Sequence, residues 1–306
     1  MTIQDTARHK IIVLDGALGT KIQSYGLTEA DFRGVLFKDL PGQLKGNNDM
    51  LCLTRPDIVA EIHKKYLEAG ADVIETNTFS SQTISQADYG LQHAAREMAL
   101  QGARIARHVA DEWSTAEWPR FVAGSMGPTN RMLSMSNDVD HPAARAISYD
   151  QLLEAYTEQA AALIEGGVDL LLIETCFDTL NAKCAVDAAR RAMDNTGREV
   201  PVMVSVTFSD NSGRTLSGQN LDAFMTSMEP LGLWAIGVNC GMGARQLMPY
   251  VKQMAAKSPV LVGAYPNAGL PNAMGEYDET PESMAAEMKE FLNEGLLNII
   301  GGCCGT

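Results

Sequence analysis

"YDQLLEAYTEQAAALIEGGVDLLLIETCFD", residues 149–178, is the stretch whose reading decides the fold. Its first part sets Leu152, Leu153, Tyr156, Leu163 and Ile164 at helical spacing and stops at two glycines. A continuous apolar run follows and ends at Glu174. A strand with one wet face would alternate, so this run predicts a strand covered on both faces, as in a parallel sheet under helices. The same unit appears upstream as "TRPDIVAEIHKKYLEAG" followed by "ADVIETNTF". It appears again downstream as "TPESMAAEMKEFLNEG" followed by "LLNIIGGCC", where Thr280 is the expected N-cap and Pro281 the first helical residue.

Scanning outward gives eight candidate strands, at 11–15, 72–76, 120–125, 169–174, 202–207, 234–239, 259–264 and 297–301. Eight buried strands separated by helices predict an α/β fold, a (β/α)8 TIM-type barrel. An open doubly wound sheet is the alternative, but the first strand and turn, "IIVLDGALGT", does not match G-x-G-x-x-G. No low-complexity linker divides the chain, so residues 1–306 read as one domain. The long first connection, 16–55, is expected to be a loop over the barrel mouth. Only four residues follow Gly302, so the barrel is expected to lack its final helix and to be the front module of a longer protein.

Composition narrows the partners. The 306 residues carry a formal net charge of −14, which argues against nucleic acid and anionic membrane surfaces, since both need clustered Lys and Arg. No apolar run approaches the length of a bilayer span, and the polar start "MTIQDTARHK" has no signal-peptide core. The expected compartment is the cytoplasm, where the six cysteines would be thiols.

In a barrel, residues just after each strand converge on one face. Here they are Asp15, Glu75 to Asn77, Ser125, Glu174, Cys240, Asn267 and the adjacent pair Cys303 and Cys304. Three thiols meeting at one mouth suit zinc, which favours tetrahedral sulfur and keeps one position open where it catalyses. Two other readings stand beside it. Cys240 could be a small buried hydrophobe, and the pair could form a vicinal disulfide. Cys52, Cys176 and Cys184 read as structural, Cys184 in a helix and Cys176 two residues past a strand. None of the five histidines falls at a strand end. Asp15 and Glu174 each follow a wholly apolar strand, which points them at the mouth with an ammonium group as the natural partner.

The motifs "DGALGT", "GNNDMLCLTRPDIVAEIHKKYLEAGADVIETNTF", "SQADYG", "GSMGPT", "IETCFDT", "GRTLSGQ", "VNCGMGA", "YPNAGLPN", "YDETPE" and "GGCCGT" run in order from Ile11 to Thr306. Together they resemble the homocysteine-binding domain of the cobalamin-dependent methionine synthases. The "VNC" and "GGCC" elements resemble the zinc site of zinc-dependent homocysteine methyltransferases in general, and "YPNAGLPN" with "YDETPE" is similar to the cobalamin-dependent branch. The resemblance implies that Cys240, Cys303 and Cys304 hold Zn2+ and that homocysteine's thiol takes the open position. It implies that Asp15 and Glu174 bind the substrate ammonium. Backbone N–H groups of Gly16 and Ala17 would bind its carboxylate, and Asn267 would be a weak fourth zinc ligand. Asn77 and Ser125 would line the mouth. The methyl donor would be methylcobalamin on a separate module, recharged through a folate-binding module, neither of which lies in these residues. A stand-alone enzyme using betaine or S-methylmethionine is the alternative, and a non-enzymatic clamp of zinc or disulfide on the eighth strand is a further class. Gly241 and Met242 depart from the Ala-Leu-like pair expected after "VNC".

Overall fold

The computed structural model describes residues 1–136, 138–208, 212–272 and 277–306. Eight strands form one all-parallel sheet: β1 (Ile12–Val13), β2 (Val73–Glu75), β3 (Phe121–Met126), β4 (Leu170–Cys176), β5 (Val202–Val206), β6 (Ala235–Gly243), β7 (Leu261–Asn267) and β8 (Ile299–Ile300). Each predicted strand overlaps one of these. The order β1-β8-β7-β6-β5-β4-β3-β2 brings the first and second strands to the two ends of the sheet. The Leu14–Val73 bridge and the Asp72 N–H donated to Val13 O, at 2.7 Å, close the ring. The helices are α1 (Ile3–Ala7), α2 (Leu18–Ser24), α3 (Glu29–Arg33), α4 (Leu51–Thr54), α5 (Pro56–Glu68), α6 (Thr83–Gln86), α7 (Ala95–Trp113), α8 (Tyr149–Gly166), α9 (Thr179–Thr196), α10 (Leu221–Met228), α11 (Ala244–Lys257) and α12 (Pro281–Asn293). Among the described residues no helix follows β8, as expected, and no helix is long and apolar enough to cross a membrane.

The helix ends follow local chemistry. Ser148 caps α8 in a reciprocal box with Gln151, and Gly167 at φ 101° ends it. Thr280 caps α12 by accepting from Ser283 N, with Pro281 at its first position. On α8 the predicted stripe of Leu152, Leu153, Tyr156, Leu163 and Ile164 is buried.

Along each strand the side chains divide by parity. Leu170, Leu172, Phe121, Ala123 and Met203 fill the barrel interior, while Leu171, Ile173, Val122, Val202 and Val204 pack outward against helices. The floor is plugged by α1, whose Ile3 joins the interior cluster and is 2% exposed. Met203 fits inside because β6 and β7 pair Gly237 with Gly263. A Cβ on either would lie 2.8 or 2.6 Å from the Met203 Cε.

The repeated unit also carries a polar device at the entry of three strands. Asp72, just before β2, accepts from Val13 N on β1 at 3.0 Å. Asp169, before β4, accepts from Val122 N on β3 at 2.8 Å. Asn298, before β8, accepts from Val262 N on β7 at 2.9 Å. Each supplies an acceptor to an N–H that the staggered ladder leaves unpaired.

The segment 16–55 is not a plain loop. It folds into α2, α3 and α4, with Ile22, Leu27, Phe32, Leu44, Met50 and Leu51 forming a separate core with residues of α5 and α7. Enough apolar side chains lie in it to bury a face, and its cap signal is the Thr28–Asp31 box. Only its two ends reach the mouth. Cys176 is likewise the last residue of β4, not two residues beyond a strand, and is buried.

Candidate metal centre and amino-acid pocket

The C-terminal ends of the strands surround a cavity of about 340 Å³. Glu75, Ser125, Glu174, Cys240, Cys303 and Cys304 all face it. The sulfur atoms of Cys240, Cys303 and Cys304 lie within 4.8 Å of one another, with 3.9 Å between Cys240 and Cys304. Among the described residues this is the one group of three metal-binding side chains so disposed. Cys240 arrives within β6, at φ 57°, and its ladder to β7 slips between Asn239 and Gly243. The slip is a bulge, which re-aims a side chain where a regular strand would not.

The other two thiols are held by a stitched segment. Gly301 N donates to Ala264 O, Gly302 N to Asp15 O and Cys303 N to Pro266 O, and Ala268 N donates to Cys304 O. Gly301 and Gly302 are required by close approach, not by an unusual backbone angle: a Cβ on Gly301 would lie 2.8 Å from Leu14 Cβ, and one on Gly302 2.5 Å from Thr306 Oγ1. Thr306 Oγ1 donates to Cys303 O at 2.6 Å and accepts from Ala17 N at 3.3 Å, and Gly305 N donates to Thr20 Oγ1. Hydrogen bonds from Cys240 and Cys303, then Tyr277, lower the Cys304 thiol while the same contacts raise Cys303, so the cluster as a whole favours holding one negative charge among its sulfurs.

Beside the sulfurs lies a trio of buried carboxyls. Burial raises Asp15 well above the usual carboxylate range, and Glu174 repels it further. Glu75 is raised in the same way, by burial and then by Glu174 and Asp15. Burial pushes Glu174 up to about 7 against the bond that Ser125 Oγ donates to it at 2.5 Å. Asp15 Oδ2 accepts from Glu75 N at 3.0 Å, while its Oδ1 is buried without a partner. Three acids and no cation in one buried place are a site short of a positive charge.

The remaining predicted residues divide. Ser125 is at the mouth, bonded to Glu174. Asn77 borders the cavity, but its amide donates to Asn48 O at 2.8 Å and holds the 16–55 segment in place. Gly16 and Ala17 border it too. The Ala17 N–H already donates to Thr306 Oγ1, a bond that an incoming carboxylate would replace. Asn267 ends β7, 4% exposed, with its side-chain oxygen unpartnered. Sequence reasoning placed Glu75 at the mouth but gave it no role, although "VIET" at 73–76 and "LIET" at 172–175 put Glu75 and Glu174 at the same place in the repeating unit. It passed over Tyr277, whose signal was its place in "YDETPE" close before the thiols' own unit.

A barrel that gathers three cysteines and several buried acids at its mouth sets a candidate soft-metal site beside a strongly acidic pocket. The chain belongs to the homocysteine S-methyltransferase family, whose model matches residues 12–306. Its structure is similar to that of the homocysteine methyltransferase MmuM from Escherichia coli. The metallated form gives a TM-score of 0.70 at 21% identity, covering 99% of this chain and 95% of that one. The oxidized form gives 0.70 at 20%, covering 97% and 92%, and the apo form 0.64 at 19%, covering 98% and 93%. At these identities the likeness is one of fold.

Proposed function

We propose that this chain is the homocysteine-activating module of a cobalamin-dependent methionine synthase. In this reading Cys240, Cys303 and Cys304 hold Zn2+ and the methyl group comes from methylcobalamin on a separate module. The observation that carries the metal is the convergence of three sulfurs within 4.8 Å at an open cavity. The donor set fits the ion: thiolates suit zinc, three leave one tetrahedral position, and the buried unpartnered oxygen of Asn267 is a candidate resting ligand. Zinc bound there lowers the pKa of a thiol placed in the open position and so supplies a thiolate at neutral pH.

The chain's own residues do the rest. Asp15 and Glu174, with Glu75 whose N–H donates to Asp15, receive the homocysteine ammonium. Its charge offsets their mutual repulsion and restores their ionised forms. Backbone N–H groups of Gly16 and Ala17 take the carboxylate. Held at both ends of its backbone, the amino acid can direct its sulfur only toward the cysteines. In the transfer an S–CH3 bond forms as the donor's bond to methyl breaks, and the thiol's proton is released as substrate binds. Thiol ligands need a reducing compartment, and we assign the chain to the cytoplasm.

The cobalamin donor, and a neighbouring folate module, rest on the "YPNAGLPN" and "YDETPE" motifs. A small donor such as betaine or S-methylmethionine is the second reading, since the family match over residues 12–306 does not specify the donor. Two measurements test these readings. Zinc content of wild type against Cys304→Ser, with a homocysteine titration that follows proton release, tests the centre; full zinc in the variant, or no proton released, overturns it. Turnover with free methylcobalamin against betaine and S-methylmethionine tests the donor, and turnover only with the small donors overturns the module reading.

A further inference from the structure

Among the described residues two that are not glycine adopt a left-handed backbone: Thr175 at φ 56° and Cys240 at φ 57°. For a β-branched residue such as threonine this is a strained state, and it persists only where surrounding structure enforces it. Both lie in irregularities of the sheet. The β4–β5 ladder slips between Ile173 and Cys176, and the β6–β7 ladder between Asn239 and Gly243.

One side chain ties the two together. Asn239 is fully buried, on β6. Its Oδ1 accepts from Thr175 N at 3.1 Å and from Ser205 Oγ at 2.7 Å. Its Nδ2 donates to Thr175 Oγ1 at 2.9 Å. A single amide thus spans β6, β5 and β4. The residue after Asn239 is Cys240, and the residue before Thr175 is Glu174. The strained positions therefore adjoin the thiol half of the site on one strand and the carboxyl half on another.

We propose that Asn239 is a positioning residue whose amide holds Thr175 and Cys240 in their left-handed backbones, and so fixes together the direction of the Cys240 thiol and of the Glu174 carboxyl. The proposal rests on reading the thiol cluster as a metal centre. The amide makes no bond to Cys240 itself; it anchors the residue directly before it, so its loss frees the N-terminal side of the bulge that carries Cys240. The Cys240 backbone then relaxes toward the extended region, and its sulfur swings away from Cys303 and Cys304. Thr175 relaxes likewise and turns Glu174 off the pocket.

The test uses the full chain loaded with cobalt(II) in place of zinc, comparing wild type, Asn239→Ala and Ser205→Ala. The readouts are the thiolate charge-transfer and d–d absorption, metal affinity by chelator competition, and the KM for homocysteine. Asn239→Ala is expected to alter the tetrahedral spectrum, weaken metal binding about 10–100-fold as loss of an outer-sphere partner does, and raise the KM. Ser205→Ala removes one bond to the same oxygen and moves all three the same way by less. An Asn239→Ala protein with wild-type spectrum and affinity overturns the proposal. If that variant does not fold, Ser205→Ala decides: a shift supports the proposal, and no shift overturns it. A wild-type protein that takes up neither zinc nor cobalt overturns the metal-centre reading instead.

Discussion

The two ends of the barrel treat their buried carboxyls in opposite ways. At the floor, Asp72 accepts from Lys10 Nζ at 2.7 Å, Val13 N at 3.0 Å and Trp118 Nε1 at 2.7 Å, and Arg120 stacks on Trp118 with 3.5 Å from its guanidinium carbon to the ring centre. At the mouth, Asp15 keeps an oxygen without a partner, Asn267 does the same, and three acids crowd a site with no base. A satisfied carboxyl such as Asp72 stabilises the fold, whereas the unpartnered Asp15 oxygen at the mouth is open to a ligand. The difference teaches which buried charges belong to folding and which to chemistry, and substitutions can break it.

The largest effect is expected at the mouth. Cys304→Ser should lose bound zinc and lower methyl transfer about 10⁴-fold, about 5.5 kcal/mol of transition-state stabilisation, with only a small change in urea midpoint. Next comes the floor. Asp72→Ala strands the Val13 N–H and releases the part-exposed Lys10 and Trp118, and should destabilise by about 1–3 kcal/mol in urea unfolding, with any metal content of the folded protein unchanged. If zinc affinity fell in this variant as it does in Cys304→Ser, the two ends would not be separable.

A pH comparison sharpens the same contrast. Glu174's folded pKa, raised from 4.5 to about 7, means the folded state holds the proton longer. Its stabilising contribution is therefore whole below pH 4.5 and is lost as pH rises through 7. In metal-free, substrate-free protein, Glu174→Gln should gain on wild type between pH 5 and pH 8 by up to about 3 kcal/mol. His63 runs the other way: burial holds its ring at about 4, so its contribution is lost as pH falls from 6.5 to 4. The comparison is accordingly made between the two proteins at each pH. A gap that stays constant with pH would mean Glu174 is already ionised when the pocket is empty. The smallest effect lies in the interior that joins the two ends. Gly263→Ala should cost about 1–2 kcal/mol in urea unfolding, because the methionine tip it meets can shift, and Met203→Val should restore most of the loss.

The barrel was legible because helical period, glycine stop and apolar strand repeat as a unit, and because each unit ends in a polar residue at the same place. The thiols were legible for the same reason. What could not be read was how far β4 and β6 run past their apolar cores. Those extensions are bulges held by side chains from other strands, Asn239 above all, and no local pattern encodes a partner 64 positions away. The 16–55 segment was misjudged because its turn-rich composition hides a small core completed only by α5 and α7. The role of Glu75 was legible in principle, through its equivalence to Glu174.

The bond between Ala17 and Thr306 spans 289 positions, and β1 pairs with β8 beside it. Contacts of such separation form late, because the loop they close must first surrender its freedom. Two of the three sulfurs ride on the segment that makes this closure. The three sulfurs therefore come together only as the ring is completed. If they hold an ion, as proposed, the chain would bind it tightly only after its eighth strand has found its first, and ion uptake would report that the barrel has finished folding.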